Sequence, residues 1–326
     1  MHLIAYNFSL VFGGQERYLE ILASELIKRG HVVEVRGAPD RVLRNPPSQR
    51  NKGKSVELLN GYRALYLRGW RKRKTDLRVF VVHQDINFNQ GRPVKRLIRK
   101  LLVRVLVVRV DLLIRVCNQS IPDHYAPGKI RTIYNGVTLP EKPAKQDSSQ
   151  PFTLIMVGSV NDVKNQFLGL QLLTRVPGVR LIIVGDGPRL AEWQRWANAN
   201  GLCDRVEWAG FVEDPSAYYR RADALLILSR VEAFPYVMLE AMSFGVPVVS
   251  VPVGGVHEAV THRQNGILLP SYKLEDLESA VRILVNEPFF LLTLGKNARQ
   301  AVRDEFTVER VVNKFISAVT EFSRLG

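Results

Sequence analysis

The chain lacks several features that would assign it to a class at once. Its 326 residues include only two cysteines, Cys117 and Cys203. Two are too few for a disulfide framework, so a reducing compartment is favoured. No stretch approaches the roughly eighteen uncharged apolar residues of a membrane-spanning helix. The N-terminal "MHLIAYNFSLVF" lacks the basic and small-residue segments of a signal peptide and is typical of a first strand. These absences predict a soluble or peripheral protein of the cytoplasm.

Acidic residues are scarce in one part of the chain. Residues 41–110 contain 19 Lys and Arg against three acids, Glu57, Asp76 and Asp85, and the net charge of the whole chain is +15. The rest of the chain is therefore close to neutral. Positive charge concentrated in this way favours an anionic surface as partner. Lipid, nucleic acid and polyanionic sugar all satisfy that condition, and the charge alone does not choose between them.

Beyond residue 150, short β-rich runs alternate with helical stretches. Five runs are typical of strands covered on both faces: "TLIMVGS", "VRLIIVGDG", "RVEWAGFV", "DALLILS" and "VPVVSVPVGG". Between them lie stretches with the apolar spacing of helices, such as "NQFLGLQLLTRV" and "PRLAEWQRWANANG". This alternation predicts a doubly wound parallel α/β domain over residues 152–326.

The first half follows the same pattern less regularly. Strands are predicted for "HLIAY", "HVVEVRG", "RALYLRG", "LRVFVVHQD", "DLLIRVCN" and "IRTIYNG". A helix is predicted from Gln15 to Arg29, closed by Gly30. Residues 40–58 are basic, contain proline and show no period.

We therefore expect two Rossmann-like α/β domains, residues 1–140 and 152–326. A linker at 141–151 is predicted from its Pro, Ser and charged residues. The last helix is a candidate to pack back on the first domain. Since α/β sheets bind ligands at the carboxyl ends of their strands, we expect the two domains to face a central cleft.

One segment, "VEAFPYVMLEAMSFGVPVV", carries two carboxylates eight residues apart. Pro235 and Gly245 suit the start and the end of a short helix between them. Amide groups near Phe234 to Val237 lack partners within that helix, and the helix dipole adds positive potential there, so a phosphate is a natural guest. Glu232 before the helix and Glu240 inside it could then hold hydroxyls on either side of the phosphate. Two ordinary solvated acids are the alternative, and the spacing alone leaves both open.

Several further stretches accompany this pair of glutamates. They are "VGDGP" (184–188), "GFV" (210–212), "EAMSFGVPVV", "VGGVHE" (253–258), "NGILLP" (265–270), "GGQERYLEILASELIKRGHVVEV" (13–35) and "YNGV" (134–137). Together with the Glu-x7-Glu spacing they resemble the retaining, GT-B-fold glycosyltransferases of the large family 4 group, the glycosyl transferases group 1. The resemblance is specific in the second half and patchy between residues 38 and 110.

The resemblance implies a GT-B fold and a metal-independent, retaining transfer of a sugar from a nucleotide-diphosphate sugar. The first domain would bind a lipid-linked or saccharide acceptor for cell-envelope polysaccharide or glycolipid synthesis. The implied catalytic residues are Glu232 on the donor sugar, Lys164 on the diphosphate and His83 near the anomeric carbon. The implied donor-binding residues are Glu240 on the ribose, Gly13, Gly14, Ser159, Gly185, Gly187, Val212, Ala233, Phe234, Pro235, Tyr236 and Val237. No Asp-x-Asp motif or Cys/His cluster occurs, so neither a metal nor a cofactor is expected.

Two residues depart from the family pattern. The family's Gly-Arg-x4-Lys segment corresponds here to "GSVNDVK" (158–164), so Lys164 is retained but Ser159 replaces the arginine. One cation instead of two would weaken stabilisation of the leaving group unless another basic residue takes its place. Ala233 replaces the commoner glycine after the first glutamate, a change that a backbone contact tolerates.

Two features of the first half suit the same site. Gly13 and Gly14 lie between the first strand and a helix, where glycine allows close approach to an anion or a hydroxyl, although a Gly-Gly pair also suits a plain turn. His83 follows the strand "RVFVV", with Asp85 two residues on. A lone histidine is more often structural than catalytic, and this alternative stays open.

The basic segment contains a marked amphipathic helix, "RPVKRLIRKLLVRVLVVRV" from Arg92. One predicted face is basic and the other apolar; the members are Arg92, Lys95, Arg96, Arg99 and Lys100 on the first and Val94, Leu97, Ile98, Leu101, Leu102 and Val105 on the second. The favoured interpretation is that the apolar face packs on the sheet and the basic face is solvated. A second hypothesis, prompted by the additional charge of "RGWRKRK" (68–74), is docking of residues 41–110 on anionic lipid at the inner face of the cell membrane.

Three functions remain to be distinguished. The first is the glycosyltransferase, and the second is a sugar-nucleotide-binding protein of the same fold with little transfer activity, suggested by Ser159. A nucleic-acid-binding protein rests on charge alone and is not expected. A nicotinamide dehydrogenase is excluded because no G-x-G-x-x-G accompanies "VGDGP".

Overall fold

The computed structural model describes residues 1–8, 13–37, 54–72, 74–86, 93–141 and 151–325, without the side chains of residues 93–96 and 325. The described chain forms two compact units. The first unit comprises Met1–Gly136 and Val308–Gly326, and the second comprises Val137–Thr307. Most of the predicted linker at 141–151 and of the aperiodic segment at 40–58 lies outside the described residues.

Within its described residues, the first unit is built on a sheet of six strands in the order β2-β1-β3-β4-β5-β6, all parallel. The strands are β1 His2–Tyr6, β2 Val32–Arg36, β3 Ser55–Asn60, β4 Leu77–Val82, β5 Leu112–Arg115 and β6 Ile130–Thr132. The helices are α1 Gly14–Lys28, α2 Gly61–Arg68, α3 Pro93–Val107 and α11 Val308–Leu325. Strand β4 is buried along its whole length, as expected for a strand covered on both faces. Helix α11 contacts α1, β4 and β5 of the same unit.

The prediction of a strand at "RALYLRG" is wrong. These residues form α2, and the strand is the preceding "SVELLN", which is β3. Gly61 has a φ of +81°, which turns the chain directly from the strand into the helix. Tyr62 and Tyr66, four residues apart, then stack with ring centroids 6.2 Å apart, as on one helix face. A short apolar run of this kind does not distinguish a strand from a helix by its period.

The prediction that the apolar face of α3 packs on the sheet is also wrong. On that face, the side chains of four apolar residues are exposed: Leu97, Ile98, Leu101 and Val105. The helix buries the opposite face, with Val103, Leu106 and Val107 in the core of the first unit. Because α3 carries apolar residues on both faces, its sequence does not indicate which face is covered. The side chains of Lys95 and Arg96, and Arg92 itself, lie outside the described part of the chain.

The described residues of the second unit contain another six-stranded parallel sheet, in the order β12-β11-β10-β7-β8-β9. The strands are β7 Thr153–Val157, β8 Arg180–Val184, β9 Val206–Gly210, β10 Ala224–Ile227, β11 Val248–Ser250 and β12 Gly266–Leu268. The helices are α4 Gln166–Arg175, α5 Leu190–Ala199, α6 Ser216–Tyr219, α7 Tyr236–Ser243, α8 Val256–Ala259, α9 Leu274–Asn286 and α10 Pro288–Glu305.

The order of the second sheet determines which loops meet. Strands β7 and β10 are neighbours at its centre, with β8 beside β7 and β11 beside β10. All run parallel, so the loops that follow them emerge at one edge. Strands and helices alternate in both units, which confirms the predicted α/β class with two doubly wound parallel sheets. No helix among the described residues has the length and apolar character needed to cross a membrane.

Candidate active site

Two glycine turns lie against each other at the carboxyl edge of the second sheet. A Cβ on Gly185 would lie 2.0 Å from the Gly158 carbonyl oxygen, and a Cβ on Gly187 would lie 2.4 Å from that of Val160. The Gly158 amide also donates to the Val184 carbonyl at 2.9 Å. The loops after β7 and β8 therefore run in close contact, which explains the glycines of "VGDGP" by packing. Gly158 of "GSVNDVK" is favoured instead by its φ of +138°.

The first of these loops carries Lys164 to a carboxylate. The Asn161 side chain accepts hydrogen bonds from the amides of Val163 and Lys164 and so shapes the turn. The Lys164 side chain crosses Gly158, and its Nζ lies 2.6 Å from Oε1 of Glu232 in the loop after β10. Because β7 and β10 are neighbours, two residues 68 positions apart meet as an ion pair.

Backbone contacts hold the Glu232 loop from both sides. The Arg230 amide donates to the Val163 carbonyl at 2.8 Å, which ties the loop after β10 to the loop after β7. On the other side a Cβ on Gly254, whose φ is +54°, would lie 2.3 Å from the Glu232 carbonyl oxygen. The Gly255 amide donates to the Ala233 carbonyl. The glycines of "VGGVHE" thus fit the turn after β11 against the loop of the first glutamate.

A tyrosine further along the chain adds a side-chain tie. The Tyr272 hydroxyl donates to the Ser229 carbonyl at 2.8 Å, at the end of β10. Burial raises the pKa of Tyr272, the Arg230 charge opposes the shift and the Glu232 charge adds to it. Both charged groups therefore lie within electrostatic reach of this hydroxyl.

Little free space remains beneath the ion pair. The cavity there has a volume of about 10 Å³, and its lining residues include Met156, Leu226 and Val237 besides Lys164 and Glu232. This is room for about one water molecule. A ligand that binds here would have to separate the lysine from the glutamate.

Gln166, the first residue of α4, also lines this cavity. Its Nε2 donates to the Ser159 carbonyl at 3.0 Å. Its buried Oε1 has no hydrogen-bond partner among the described residues. The side chain of Ser159 itself is exposed at the same turn.

Helix α7 begins four residues after Glu232. Pro235 is its N-cap, with an extended backbone, and Tyr236 is its first residue. The side chains of Phe234 and Tyr236 are buried. A ligand at the amino end of α7 would therefore contact the backbone of these residues. The amides at positions 236 and 237 belong to the first turn and lie at the positive end of the helix dipole. Gly245, with a φ of +80°, ends the helix as predicted.

Glu240 occupies the second turn of α7 and contacts a different partner. Its Oε2 accepts a hydrogen bond of 2.9 Å from the hydroxyl of Tyr219, the last residue of α6. The Tyr219 ring is buried and stacks on Phe244 with centroids 5.8 Å apart. The second glutamate is thus held in place independently of the Lys164–Glu232 pair.

The end of β9 completes this edge of the sheet. The Gly185 amide donates to the Gly210 carbonyl at 2.7 Å, so the "GFV" segment begins beside the "VGDGP" turn. Val212 is half-buried there. The side chain of Phe211 between them is 76 % exposed, which is unusual for an aromatic ring of this size.

In the first unit, Gly13 is the N-cap of α1 and Gly14 its first residue. The Gly13 amide donates to Oε2 of Glu16 at 2.9 Å, and the other oxygen of this buried carboxylate accepts from Asn7 at 3.1 Å. A Cβ on Gly13 would meet only an ordinary contact of 3.6 Å. Packing within the unit therefore does not require glycine at this position.

His83 ends a chain of hydrogen bonds across three strand ends of the first unit. Gln15 donates to the Asn7 side chain and to the Asn60 carbonyl, at 2.6 Å and 2.8 Å. The amide nitrogen of Asn60 donates to the Gln15 carbonyl, so its Oδ1 is the atom 2.7 Å from Nε2 of His83. Nε2 must then carry the proton, which leaves Nδ1 as the acceptor. The ring also packs edge-on against Tyr18, with centroids 4.9 Å apart.

Burial lowers the pKa of His83 from 6.5 to about 3. The imidazole is therefore neutral near pH 7, and its one proton is engaged by Asn60. Such a group can orient a neighbour or accept a hydrogen bond, but it does not supply a proton.

Residues 140–301 match the family described as "Glycosyl transferases group 1". This segment contains Lys164, Glu232, Glu240 and the glycine turns around them. The match covers just under half of the chain and assigns this segment to the group 1 glycosyltransferases. The resemblance predicted from the Glu-x7-Glu segment is confirmed for the GT-B glycosyltransferases as a class.

Two curated relatives share part of the sequence. The chain is 28% identical over 233 residues to the Vi polysaccharide biosynthesis protein VipC/TviE of Salmonella typhi, covering 64% of this chain and 40% of that protein. It is 30% identical over 160 residues to the N-acetyl-alpha-D-glucosaminyl L-malate synthase of Bacillus anthracis, covering 49% of this chain and 41% of that protein. The chain thus spans about two fifths of the length of each.

The fold of this glycosyltransferase matches a solved structure along its whole length. HepE of Anabaena, crystallised with UDP, superposes with a TM-score of 0.81 at 20% identity, covering 98% of this chain and 100% of HepE. The same protein has been solved with UDP-glucose. The superposition confirms the predicted GT-B fold class.

The glycosyltransferase therefore brings some predicted residues together and adds others. Lys164 and Glu232 meet, and the predicted glycines pack at the same edge. Sequence reasoning did not find Tyr219, Tyr272 or Gln166. Tyr219 and Tyr272 contact residues 21 and 43 positions away, and Gln166 reaches back seven positions across the loop after β7. No local pattern marks such residues. Among the described residues, no three His, Cys, Asp or Glu side chains are grouped so that they could hold a metal ion.

Proposed function

We propose that the protein transfers a sugar from a nucleotide-diphosphate sugar to a hydroxyl acceptor with retention of configuration, as in family 4, without a metal ion. The observation that carries this proposal is the ion pair of Lys164 and Glu232, 2.6 Å apart, directly before the amino end of α7. A cation, a carboxylate and the amino end of a helix are the groups needed for a diphosphate joined to a sugar.

The diphosphate would bind between Lys164 and the first turn of α7. Lys164 is partly exposed, with 27% of its side chain accessible, so its ammonium group can reach a ligand. As the bond to the anomeric carbon breaks, negative charge grows on the leaving phosphate. Lys164 and the α7 amides stabilise that charge, which lowers the barrier.

Glu232 and Glu240 would bind the two ends of the donor. When a donor separates the resting ion pair, Glu232 accepts hydrogen bonds from sugar hydroxyls and fixes the ring over the phosphate. Glu240, held by Tyr219, accepts the ribose hydroxyls. Since the two acids serve different parts of one ligand, they do not form the acid–base pair of a hydrolase. The acceptor hydroxyl then attacks from the face that the nucleotide leaves.

A second cation near the site supports transfer in spite of Ser159. Arg230 lies two residues before Glu232, its amide is tied to the loop of Lys164, and its charge acts on Tyr272. We propose that Arg230 supplies the charge that the family's arginine gives elsewhere. The exposed ring of Phe211 at the end of β9 offers a surface on which the nucleotide base can stack.

The proposed cellular role is synthesis of a cell-envelope polysaccharide or glycolipid in the cytoplasm, on a lipid-linked or saccharide acceptor. The relative from Salmonella typhi named for Vi polysaccharide biosynthesis supports this role. Neither Cys117 nor Cys203 forms a disulfide bond, which suits a reducing compartment.

Labelled nucleotide-diphosphate sugars, UDP-glucose first, test the proposal when incubated with cell-envelope lipids and saccharide fractions. We expect label in a product whose anomeric configuration, measured by NMR coupling constants, is that of the donor. Transfer should survive EDTA. An inverted product would refute retention, and loss of transfer with EDTA that Mg²⁺ restores would refute metal independence.

The alternative is a sugar-nucleotide-binding protein with little transferase activity, favoured by the exposed Ser159 in place of a cation. It predicts that UDP raises the melting temperature by binding the folded state, while no labelled donor reaches any acceptor. Thermal shift and transfer measured on one preparation separate the two functions.

A further inference from the structure

Helix α3 presents an apolar stripe to solvent. Its five residues are Leu97, Ile98, Leu101, Val105 and Val108, each between 50 % and 74 % exposed. The spacing of three to four residues places them along one side of the helix. Soluble proteins seldom expose contiguous apolar surface of this kind without a partner.

The packing of α3 does not depend on the stripe. Val103, Leu106 and Val107, on the opposite side of the helix, are already buried in the core of the first unit. Five further apolar residues on the solvent side add nothing to that core. Their exposure therefore points to contact with something outside the unit.

Basic residues border the stripe. Lys100 and Arg104 lie along one edge of it on α3, and Arg109 follows its end. The Arg109 guanidinium lies 5.3 Å from the ring centre of Trp70, which is 50 % exposed. Trp70 is followed by Arg71, Lys72 and Lys74, all exposed. An apolar centre, an interfacial tryptophan and a basic border thus occur on one surface.

We propose that this surface docks the protein on an anionic lipid bilayer, with α3 lying in the membrane plane. The stripe covers 12 residues from Leu97 to Val108, the last of them directly after the end of α3, and its 11 steps of 1.5 Å extend about 16 Å. Its side chains enter the interface between headgroups and acyl chains, while the arginines and lysines contact anionic headgroups. Each basic residue near such a surface strengthens binding several-fold.

The combination of features favours a bilayer over other partners. Nucleic acid would pair with the basic residues but gain nothing from five exposed aliphatic side chains. A second copy of the chain would cover the stripe but would bring two basic borders together, and like charges repel. A surface that is anionic outside and apolar beneath matches both the basic border and the apolar stripe.

Cosedimentation of the full chain with vesicles tests the proposal, without any sugar donor present. We expect strong binding to vesicles of phosphatidylglycerol and phosphatidylcholine, and weak binding to phosphatidylcholine alone. The substitution L101E places a charge in the centre of the stripe, and R104E reverses one border charge. Each should weaken binding to the anionic vesicles about tenfold or more.

A matched control lies in the second unit. Phe289 is 85 % exposed on α10, and F289E adds the same charge at an exposed apolar position away from the stripe. It should leave vesicle binding unchanged. Because Leu101 and Arg104 are exposed, unfolding is not expected, and an unchanged melting temperature verifies this.

Trp70 provides a direct signal of insertion. Its fluorescence should shift to the blue on anionic vesicles and be quenched by brominated acyl chains, and W70F should remove both changes. If L101E and the wild-type protein bound anionic vesicles equally well, the proposal would be overturned. A dimer in light scattering that L101E dissociates, or tight RNA binding that R104E abolishes and L101E does not, would also overturn it.

Discussion

The carboxyl edges of the two sheets differ in charge: an ion pair lies at the edge of the second sheet, and mainly uncharged hydrogen-bonding side chains lie at the edge of the first. In the second unit the loops after neighbouring strands bring a lysine to a glutamate, 2.6 Å apart and partly open to solvent. In the first unit the side chains of Gln15, Asn60 and His83 join the corresponding strand ends by uncharged contacts, and burial holds the histidine neutral. The one carboxylate of this network, Glu16, is buried and accepts from Asn7 and the Gly13 amide.

This difference separates two tasks of a transferase. In the proposed reaction, stabilising a leaving diphosphate requires charge, and Lys164 would provide it beside the first turn of α7. Orienting groups near a reacting carbon requires fixed directions, which hydrogen bonds between neutral side chains provide without a competing field. The two edges can be distinguished by substitutions that remove charge from one and directional contacts from the other.

The largest effect is expected at Lys164. Lys164→Met keeps the length of the side chain but removes the charge that faces the diphosphate. Loss of one transition-state contact of this kind lowers kcat by roughly 10²–10³-fold. Glu232→Gln should also lower kcat strongly, since an amide does not accept hydrogen bonds from sugar hydroxyls as a carboxylate does. Steady-state transfer of labelled sugar measures both.

Lys296 is the matched control, because it is an exposed lysine of the same unit on α10. Lys296→Met should leave kcat unchanged. If Lys164→Met retained turnover within a few-fold of the unchanged chain, charge at this edge would not drive the reaction.

A smaller effect is expected at the ribose end of the donor. Tyr219→Phe removes the hydroxyl that donates to Glu240 at 2.9 Å. A hydrogen bond to a charged group contributes about 1.5–3 kcal/mol, so KM for the donor should rise roughly tenfold or more while kcat changes little. Glu240→Ala should raise KM further. Donor titrations at saturating acceptor measure the split, and a fall in kcat with unchanged KM would contradict it.

Much of the second unit could be predicted from sequence because its signals are local. Apolar runs bounded by glycine place the strands, and Gly245 with Pro247 ends α7 as expected. The Glu-x7-Glu spacing identified two residues whose surroundings the structure now describes. That Lys164 would reach Glu232 was not predicted, since it depends on β7 and β10 being neighbours.

The failures in the first unit have the same physical origin. Helix α3 is apolar on two faces, and only the sheet beneath decides that Val103 and Leu106 are covered while Leu101 is not. "RALYLRG" is too short for its period to identify a helix. Tyr219 and Asn60 act through contacts with residues that are distant in the sequence, for which a sequence carries no local pattern.

The neutral His83 of the first unit should make the stability of the protein depend on pH. Burial lowers the pKa of His83 to about 3, against 6.5 for an exposed imidazole. Between these values the unfolded chain binds a proton that the folded protein does not. The contribution of His83 to stability is therefore complete above about pH 6.5 and is lost as the pH falls toward 3.

The variant His83→Gln isolates this contribution, because glutamine does not titrate. The free energy of unfolding of the unchanged chain should fall more steeply between pH 6 and pH 4 than that of the variant. The difference in slope approaches about 1.4 kcal/mol per pH unit. Chemical denaturation at several pH values measures it, and parallel curves would mean that His83 is not held neutral.

The smallest effect is expected where a neutral contact supports the charged edge. Tyr272 donates to the Ser229 carbonyl at 2.8 Å and so fixes the start of the loop that carries Glu232. Burial raises the pKa of this hydroxyl, so it remains a donor at neutral pH. Tyr272→Phe removes one neutral hydrogen bond, about 1 kcal/mol, and leaves every charge in place. If orientation of Glu232 matters, kcat should fall about fivefold with little change in donor KM, whereas a loss of donor affinity alone would show that Tyr272 acts on binding and not on the position of the carboxylate.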